Sequence, residues 1–243
     1  MKKILLFILP VYLSFAQEKE NKIITQGYPI DQQYYIGGEV QFYKELHQVL
    51  IDKKLKPCDN KNELYTAWII INPDASIIIP KEQDVKDINE IRCTYNLVRD
   101  SFKYLNNWKP ATVEGKSVTA NTYIAIFPDA LFDNYKEGYN LDDYISAPEY
   151  TDGMNVFRER FVKVASFDRF RVKNIKKIII DFSVSDKGEI EEIQPDKSSG
   201  NRKFDEMLIN SIKKIGGTWT PGTIHGVPVS SRFRFPINLN YTD

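Results

Sequence analysis

From Lys176 to Leu239 the spacing of apolar residues switches from two to a helical period and back. Ile178, Ile180, Phe182 and Val184 alternate with Lys177, Ile179, Asp181 and Ser183. That period of two predicts a strand with one face on a core and a mostly polar face outside. Asp186-Lys187-Gly188 predicts a tight turn into a second strand, with Gly188 able to take a positive φ. After Ser199-Gly200-Asn201, whose side chains suit a helix cap, Phe204, Leu208, Ile212 and Ile215 recur at helical spacing. Lys213 and Lys214 favour the last turn through the helix dipole, and Gly216-Gly217 ends it. The closing stretch alternates again, Val229, Ser231, Phe233, Phe235 and Ile237 against Ser230, Arg232, Arg234, Pro236 and Asn238. The pattern predicts an α+β unit of strand, strand, helix and strand.

The first half repeats this pattern in weaker form. Trp108-Lys109-Pro110-Ala111-Thr112-Val113-Glu114-Gly115 matches Trp219 to Gly226 at a constant offset of 111, which continues as Val118, Ala120, Thr122, Ile124 and Ile126 onto Val229 to Ile237. Upstream, Trp68 to Ile77 resembles Asp181 to Ile190, and Tyr35 to Gly38 with Phe42 echoes Tyr150 to Gly153 with Phe157. Each half gains a leading helix, one lined by Phe42, Leu46, Val49 and Leu50, the other by Phe157, Phe161, Val164 and Ala165. A second helix in the first half is expected from about Asn89 to Asn106. The fold class expected is α+β, two tandem small domains, each helix–strand–strand–helix–strand with a short antiparallel sheet packed on helices.

The second half resembles the C-terminal domain of TonB. The residues that carry the likeness are Asp186-Lys187-Gly188-Glu189-Ile190, Ser198-Ser199-Gly200-Asn201, Trp219-Thr220-Pro221-Gly222, His225-Gly226-Val227-Pro228-Val229 and Phe235-Pro236-Ile237-Asn238. The resemblance implies a sheet that binds an extended peptide alongside it, in that family the N-terminal segment of outer-membrane transporters. It also implies a bacterial periplasm. The expected organisation is a signal peptide at 1–16, an N-terminal segment at 17–34 and a divergent TonB-like domain at 35–128. An acidic linker at 129–152 and the clearer TonB-like domain at 153–243 follow.

Lys2-Lys3, an apolar run from Ile4 and Ser14-Phe15-Ala16 before Gln17 read as a secretory signal, giving an exported, periplasmic chain that begins at Gln17. The run is shorter than the roughly 20 apolar residues of a spanning helix. Retention of the segment as an anchor is the alternative. With Lys+Arg and Asp+Glu both at 33, overall charge does not point to nucleic acid. The only cysteines, Cys58 and Cys93, are either one disulfide or two buried thiols. Residues 129–152 are acidic and 154–177 basic, which suits an electrostatic latch or simply a solvated linker beside a basic helix. The linker's Tyr135, Tyr139, Tyr144 and Tyr150 suggest that it packs down.

Candidate chemistry is sparse. His47 is expected on an exposed helix face, and His225 lies in a turn where the first half has Glu114, so imidazole itself is not expected to matter there. No phosphate loop, nucleophile elbow or zinc motif occurs, so no enzyme activity, catalytic residue, metal or cofactor is expected. Trp108, Pro110, Gly115, Trp219, Pro221 and Gly226 are expected to be structural, the tryptophans clamping each helix to its last strand. Pro236 cannot donate a ladder hydrogen bond, which predicts an edge strand open to an extended peptide. Ser230, Arg232, Arg234 and Asn238 are the candidate contacts, the arginines either meeting a partner or guarding the edge.

The function expected is a periplasmic, non-enzymatic binding or adaptor protein serving outer-membrane transport or envelope assembly. Its partner would be a protein or extended peptide, possibly the N-terminal segment of outer-membrane transporters. The alternatives are a membrane-anchored TonB-type transducer and a structural envelope protein that homodimerises through sheet edges.

Overall fold

The computed structural model describes residues 24–25, 27–85, 88–170 and 176–239, so the expected signal peptide lies outside the described residues. The fold is α+β. The first half runs β1 (Ile24–Thr25), α1 (Gly38–Asp52), β2 (Tyr65–Ile71), β3 (Ile77–Ile78), α2 (Arg92–Phe102), β4 (Ala111–Val113) and β5 (Lys116–Ile126). Two short strands follow, β6 (Ile145–Ser146) and β7 (Glu149–Tyr150). The second half runs α3 (Met154–Val164), β8 (Lys177–Val184), β9 (Ile190–Pro195), α4 (Arg202–Lys214), β10 (Trp219–Thr220), β11 (Gly222–Ile224), β12 (Val227–Val229) and β13 (Ser231–Asn238). No described helix is long and apolar enough to cross a membrane.

Strand register makes the two halves equivalent. Ile71 faces Ala120 as Val184 faces Ser231, Ile69 faces Thr122 as Phe182 faces Phe233, and Tyr65 faces Ile126 as Ile178 faces Ile237. The first sheet has strand order β1-β5-β2-β3 with β4 on β5, the second β13-β8-β9. Both hairpins at the end of the repeat turn through two residues with positive φ, Glu114-Gly115 (50° and 77°) and His225-Gly226 (50° and 76°). That is the mirror-image turn whose twist suits a two-residue hairpin.

Trp108 and Trp219 sit at matching hubs, each 5 % exposed. Trp108 meets Tyr35, Phe42 and Phe102; Trp219 meets Tyr150, Phe157 and Phe182. Tyr35 bridges to Trp108 across one backbone pair, as Tyr150 does to Trp219. Pro110 and Pro221 stand directly before the hairpins these hubs support, β4–β5 and β11–β12.

Helix ends follow local chemistry. Asn201 caps α4 by accepting from Phe204 N (3.3 Å), and Asp205 accepts from Ser198 Oγ (2.7 Å) and Ser199 N (3.1 Å), which ties down the Ser-Ser-Gly-Asn turn. α2 is shorter than expected because a carboxylate from another loop starts it. Glu63 Oε2 accepts from Thr94 N and Thr94 Oγ1, both at 2.8 Å. Cys58 and Cys93, on either side of this contact, are joined as a disulfide. With Glu63 they form a cluster compact enough for a metal, but the sulfurs are committed to each other.

Residues 129–152 do not hang between the halves. Leu131, Phe132, Tyr139 and Leu141 join the first core, and so does Ile224 from the second half's hairpin. β6 pairs with β11 and β7 with β10. The acidic side chains meet lysines of the first half, Lys44–Glu137 (2.6 Å) and Lys61–Asp129 (3.2 Å). One described ion pair, Arg160–Asp152 (2.8 Å), joins the acidic stretch to the basic one. His47 is not on an open face: its Nδ1 lies 2.9 Å from Leu131 O and its ring stacks 4.0 Å from Tyr135. A linker that folds back over α1 covers a side chain that its own helix leaves outside.

Candidate functional site: the outer edge of the second sheet

Strand β13 ends its sheet, and no described strand pairs with its outer side. Expected as one strand from Val229, the alternating stretch breaks at Ser230 into β12, which serves the hairpin, and β13, which serves the sheet. Leu239 N donates to Lys176 O (2.9 Å), so the odd-numbered residues turn their backbone groups toward β8. In an antiparallel ladder the alternate residues then point theirs outward. Those residues are Arg232, Arg234, Pro236 and Asn238, opposite Ser183, Asp181, Ile179 and Lys177. Pro236 offers a carbonyl but no N–H. Ser230, Arg232, Arg234 and Asn238 are all exposed and follow one line.

The opposite edge, β9, is built differently. Glu192 takes a positive φ of 54° where the register against β8 shifts between Asp181 and Ser183. A bulge flanked by the carboxylates of Glu191 and Glu192 blunts a strand against pairing. Of the two edges of the second sheet, β13 is the regular one.

Its arginines are already engaged. Arg232 Nη2 lies 2.6 Å from Asp181 Oδ2 and Arg234 Nε 3.2 Å from Asp181 Oδ1, while Arg234 Nη2 reaches Asp196 Oδ2 at 3.1 Å. Asp181, expected on the exposed polar face, is only 2 % exposed. Two long guanidinium side chains from the neighbouring strand cover a short carboxylate and satisfy it. Alternation of polar and apolar residues along β8 cannot reveal such cover, because the covering residues are fifty positions away. The arginines therefore hold the strand's outer face in order, with their remaining donors at its rim.

The first half shows the same edge occupied. Thr119 and Ala120, equivalent to Ser230 and Ser231, pair in parallel with Ile24 and Thr25 of β1. Gly27 N donates to Asn121 Oδ1 (3.1 Å), and Tyr43 Oη donates to Ala125 O (2.7 Å) further along. The side-chain amide of Gln32 bonds both backbone groups of Thr112, donating to its carbonyl and accepting from its N–H at 2.7 Å each. In the second half β6 does the equivalent for Thr223 through Ser146. Both hairpins are thus covered by the segment that precedes them.

A pocket of about 530 Å³ forms an open groove between the β8–β9 turn and the end of α4, lined by Lys187, Glu189, Ile193, Ile212 and Lys213 among others. Glu189 is its one carboxylate, beside the ammonium groups of Lys187 and Lys213. His225, where imidazole was not expected to matter, has its ring stacked between Phe127 at 4.3 Å and Tyr144 at 4.1 Å. Its position in a turn gave no sign of this, since both rings come from outside the second repeat. No family model, characterised protein or solved structure matches the chain.

Proposed function

We propose that the protein is a non-enzymatic binding or adaptor protein that takes an extended peptide along the outer edge of β13. The observation that carries this reading is the parallel pairing of β1 with β5. A strand equivalent to β13 accepts an extended segment at Thr119 and Ala120, and the outward N–H and C=O groups of Arg232, Arg234 and Asn238 continue the corresponding edge for a partner. The resemblance of 153–243 to the TonB C-terminal domain supports the same reading and suggests the N-terminal segments of outer-membrane transporters as partners in the periplasm.

Charge reversal at Arg232 and Arg234 would be a poor test, because it would set new carboxylates against buried Asp181. Backbone chemistry on the peptide is cleaner. Transporter N-terminal peptides would be titrated into the protein, with N-methyl groups at alternate residues. Strand addition expects one methylation parity to weaken binding by about tenfold or more and the other to leave it within about twofold. Equal effects from both parities, or amide shifts that avoid β13, would overturn the edge-strand reading. Peptide-independent dimerisation through β13 would favour the structural envelope protein instead.

A further inference from the structure

The outer faces of the two sheets have opposite chemistry at equivalent places. On the first, Trp68 lies directly across from Tyr123, ring centroids 5.4 Å apart and tilted by 60°. The next row across that face is Asn121, Ile70 and Ile78. Trp68 is 58 %, Tyr123 41 % and Ile78 51 % exposed. The repeat places Asp181 where the first sheet has Trp68, Arg234 for Tyr123, Arg232 for Asn121, Ser183 for Ile70 and Glu191 for Ile78. This fold therefore carries charge at these positions without difficulty, and nothing in the backbone requires the first sheet to expose aromatic rings there.

We infer that the outer face of the first sheet is a binding platform for a neutral carbohydrate chain. An exposed aromatic pair beside aliphatic side chains is the kind of patch that marks a binding surface. A pyranose ring offers an apolar C–H face and a rim of hydroxyls, and it carries no charge. Trp68 and Tyr123 match the ring face. Asn121, whose Oδ1 accepts from Gly27 N, carries amide N–H groups of the kind that suit the rim, and Thr66 on the same face of β2 adds a hydroxyl. Ile70 and Ile78 suit an apolar substituent such as the methyl of an N-acetyl group. None of these residues is charged, in a chain that is 27 % charged, so the patch offers a polyanion or a basic peptide nothing to pair with. A second copy of the chain is the poorer occupant, because a stable interface needs about 800 Å² from each partner. Here β3 is only two residues long and β1 closes the other side.

The test uses the full chain and chitohexaose, a neutral oligosaccharide of N-acetylhexosamine. Trp108 and Trp219 are buried and the third tryptophan is Trp68, so the solvent-sensitive part of the emission reports on the platform. The expected result is a saturable blue shift below about 10 mM sugar, weakened about fivefold or more in Tyr123→Ala; Trp68→Ala removes the reporter, so its expected loss of binding is read by calorimetric titration. Glu191→Ala, at the place on the second sheet equivalent to Ile78, should bind as the wild type does. Circular dichroism checks that each variant is folded, which the exposure of all three side chains favours. No saturable shift would overturn the inference. So would equal binding by Trp68→Ala, tighter binding of anionic polysialic acid, or a shift that follows protein concentration instead of sugar.

Discussion

Tyr139 holds its hydroxyl 2.7 Å from Nε2 of His225, joining residues 86 positions apart across the two halves. Burial, reinforced by Tyr144 and Glu39, pushes the Tyr139 phenol up, so it stays protonated. The neutral phenol can donate to a bare Nε2 or accept from Nε2–H, so the tautomer of His225 sets the direction of the bond. The backbone completes the contact, His225 N donating to Tyr144 O at 3.0 Å. This imidazole stands at the tip of a second-half hairpin whose Ile224 sits in the first core, and burial disfavours its charged form.

The first prediction follows from that burial. Burial moves the His225 pKa below its ordinary 6.5, with Asp129 opposing. A histidine lowered on folding contributes stability that is fully present above about pH 6.5, the unfolded value, and is lost as pH falls toward the folded value. Tm should therefore drop more steeply between pH 7 and 5 in the wild type than in His225→Gln, whose side chain does not titrate. Parallel Tm–pH curves would mean that the contact does not depend on imidazole charge.

Asp181 predicts an asymmetric mutational cost. Asp181→Asn leaves a buried group beside two guanidiniums that have lost their charged acceptor. Because both arginines are more than half exposed, the expected loss is about 1–2 kcal/mol in urea unfolding, below that of a fully buried pair. Arg232→Ala alone should cost less than about 1 kcal/mol, since Arg234 still satisfies Asp181. Comparable losses for the two variants would show that the arginines do not share the carboxylate.

The equivalence of the two sheets was legible in the sequence, because an offset of 111 in the last strand and of 113 in the first also relates the paired residues of one sheet to those of the other. Asn201 as a cap and Gly188 in a turn were legible for the same reason, since their partners lie within a few residues. The parts of the candidate site that were not legible depend on distant cover. Asp181 is buried by side chains from β13, and His47 by a segment beyond β5. His225 gains its role from rings supplied by 127–144. Periodicity reports on one element at a time and is blind to what another segment lays over its polar face.

Ala75 and Gly188 occupy the same turn position, with φ of 63° and 78°. Their hydrogen bonds also match, Ala75 N donating to Asn72 O and Gly188 N to Ser185 O, both at 2.9 Å. A side chain there carries left-handed strain, so Ala75→Gly should stabilise by about 0.5–1 kcal/mol despite the added freedom of the unfolded chain. The reverse change, Gly188→Ala, also puts a Cβ 2.2 Å from Trp219 O. That should cost about 2 kcal/mol or more, because backbone of the aromatic hub must move. Urea midpoints for the two variants should shift in opposite directions.

The Cys58–Cys93 disulfide spans 35 positions and closes the loop that carries β2 and β3. By chain entropy alone, such a loop is worth about 3–4 kcal/mol. The folded state has a second tie at the same place, Glu63 accepting from Thr94 N and Oγ1. That cap should hold the start of α2 after reduction, so Cys58→Ala/Cys93→Ala should fold with a lower urea midpoint and native circular dichroism. Adding Glu63→Gln to the pair should then remove about a further 1 kcal/mol and raise amide exchange at Thr94 and Tyr95 first. If Glu63→Gln proved equally costly with the disulfide present and absent, the two ties would act independently. A larger cost without the disulfide would show that the cap takes over when the loop is opened.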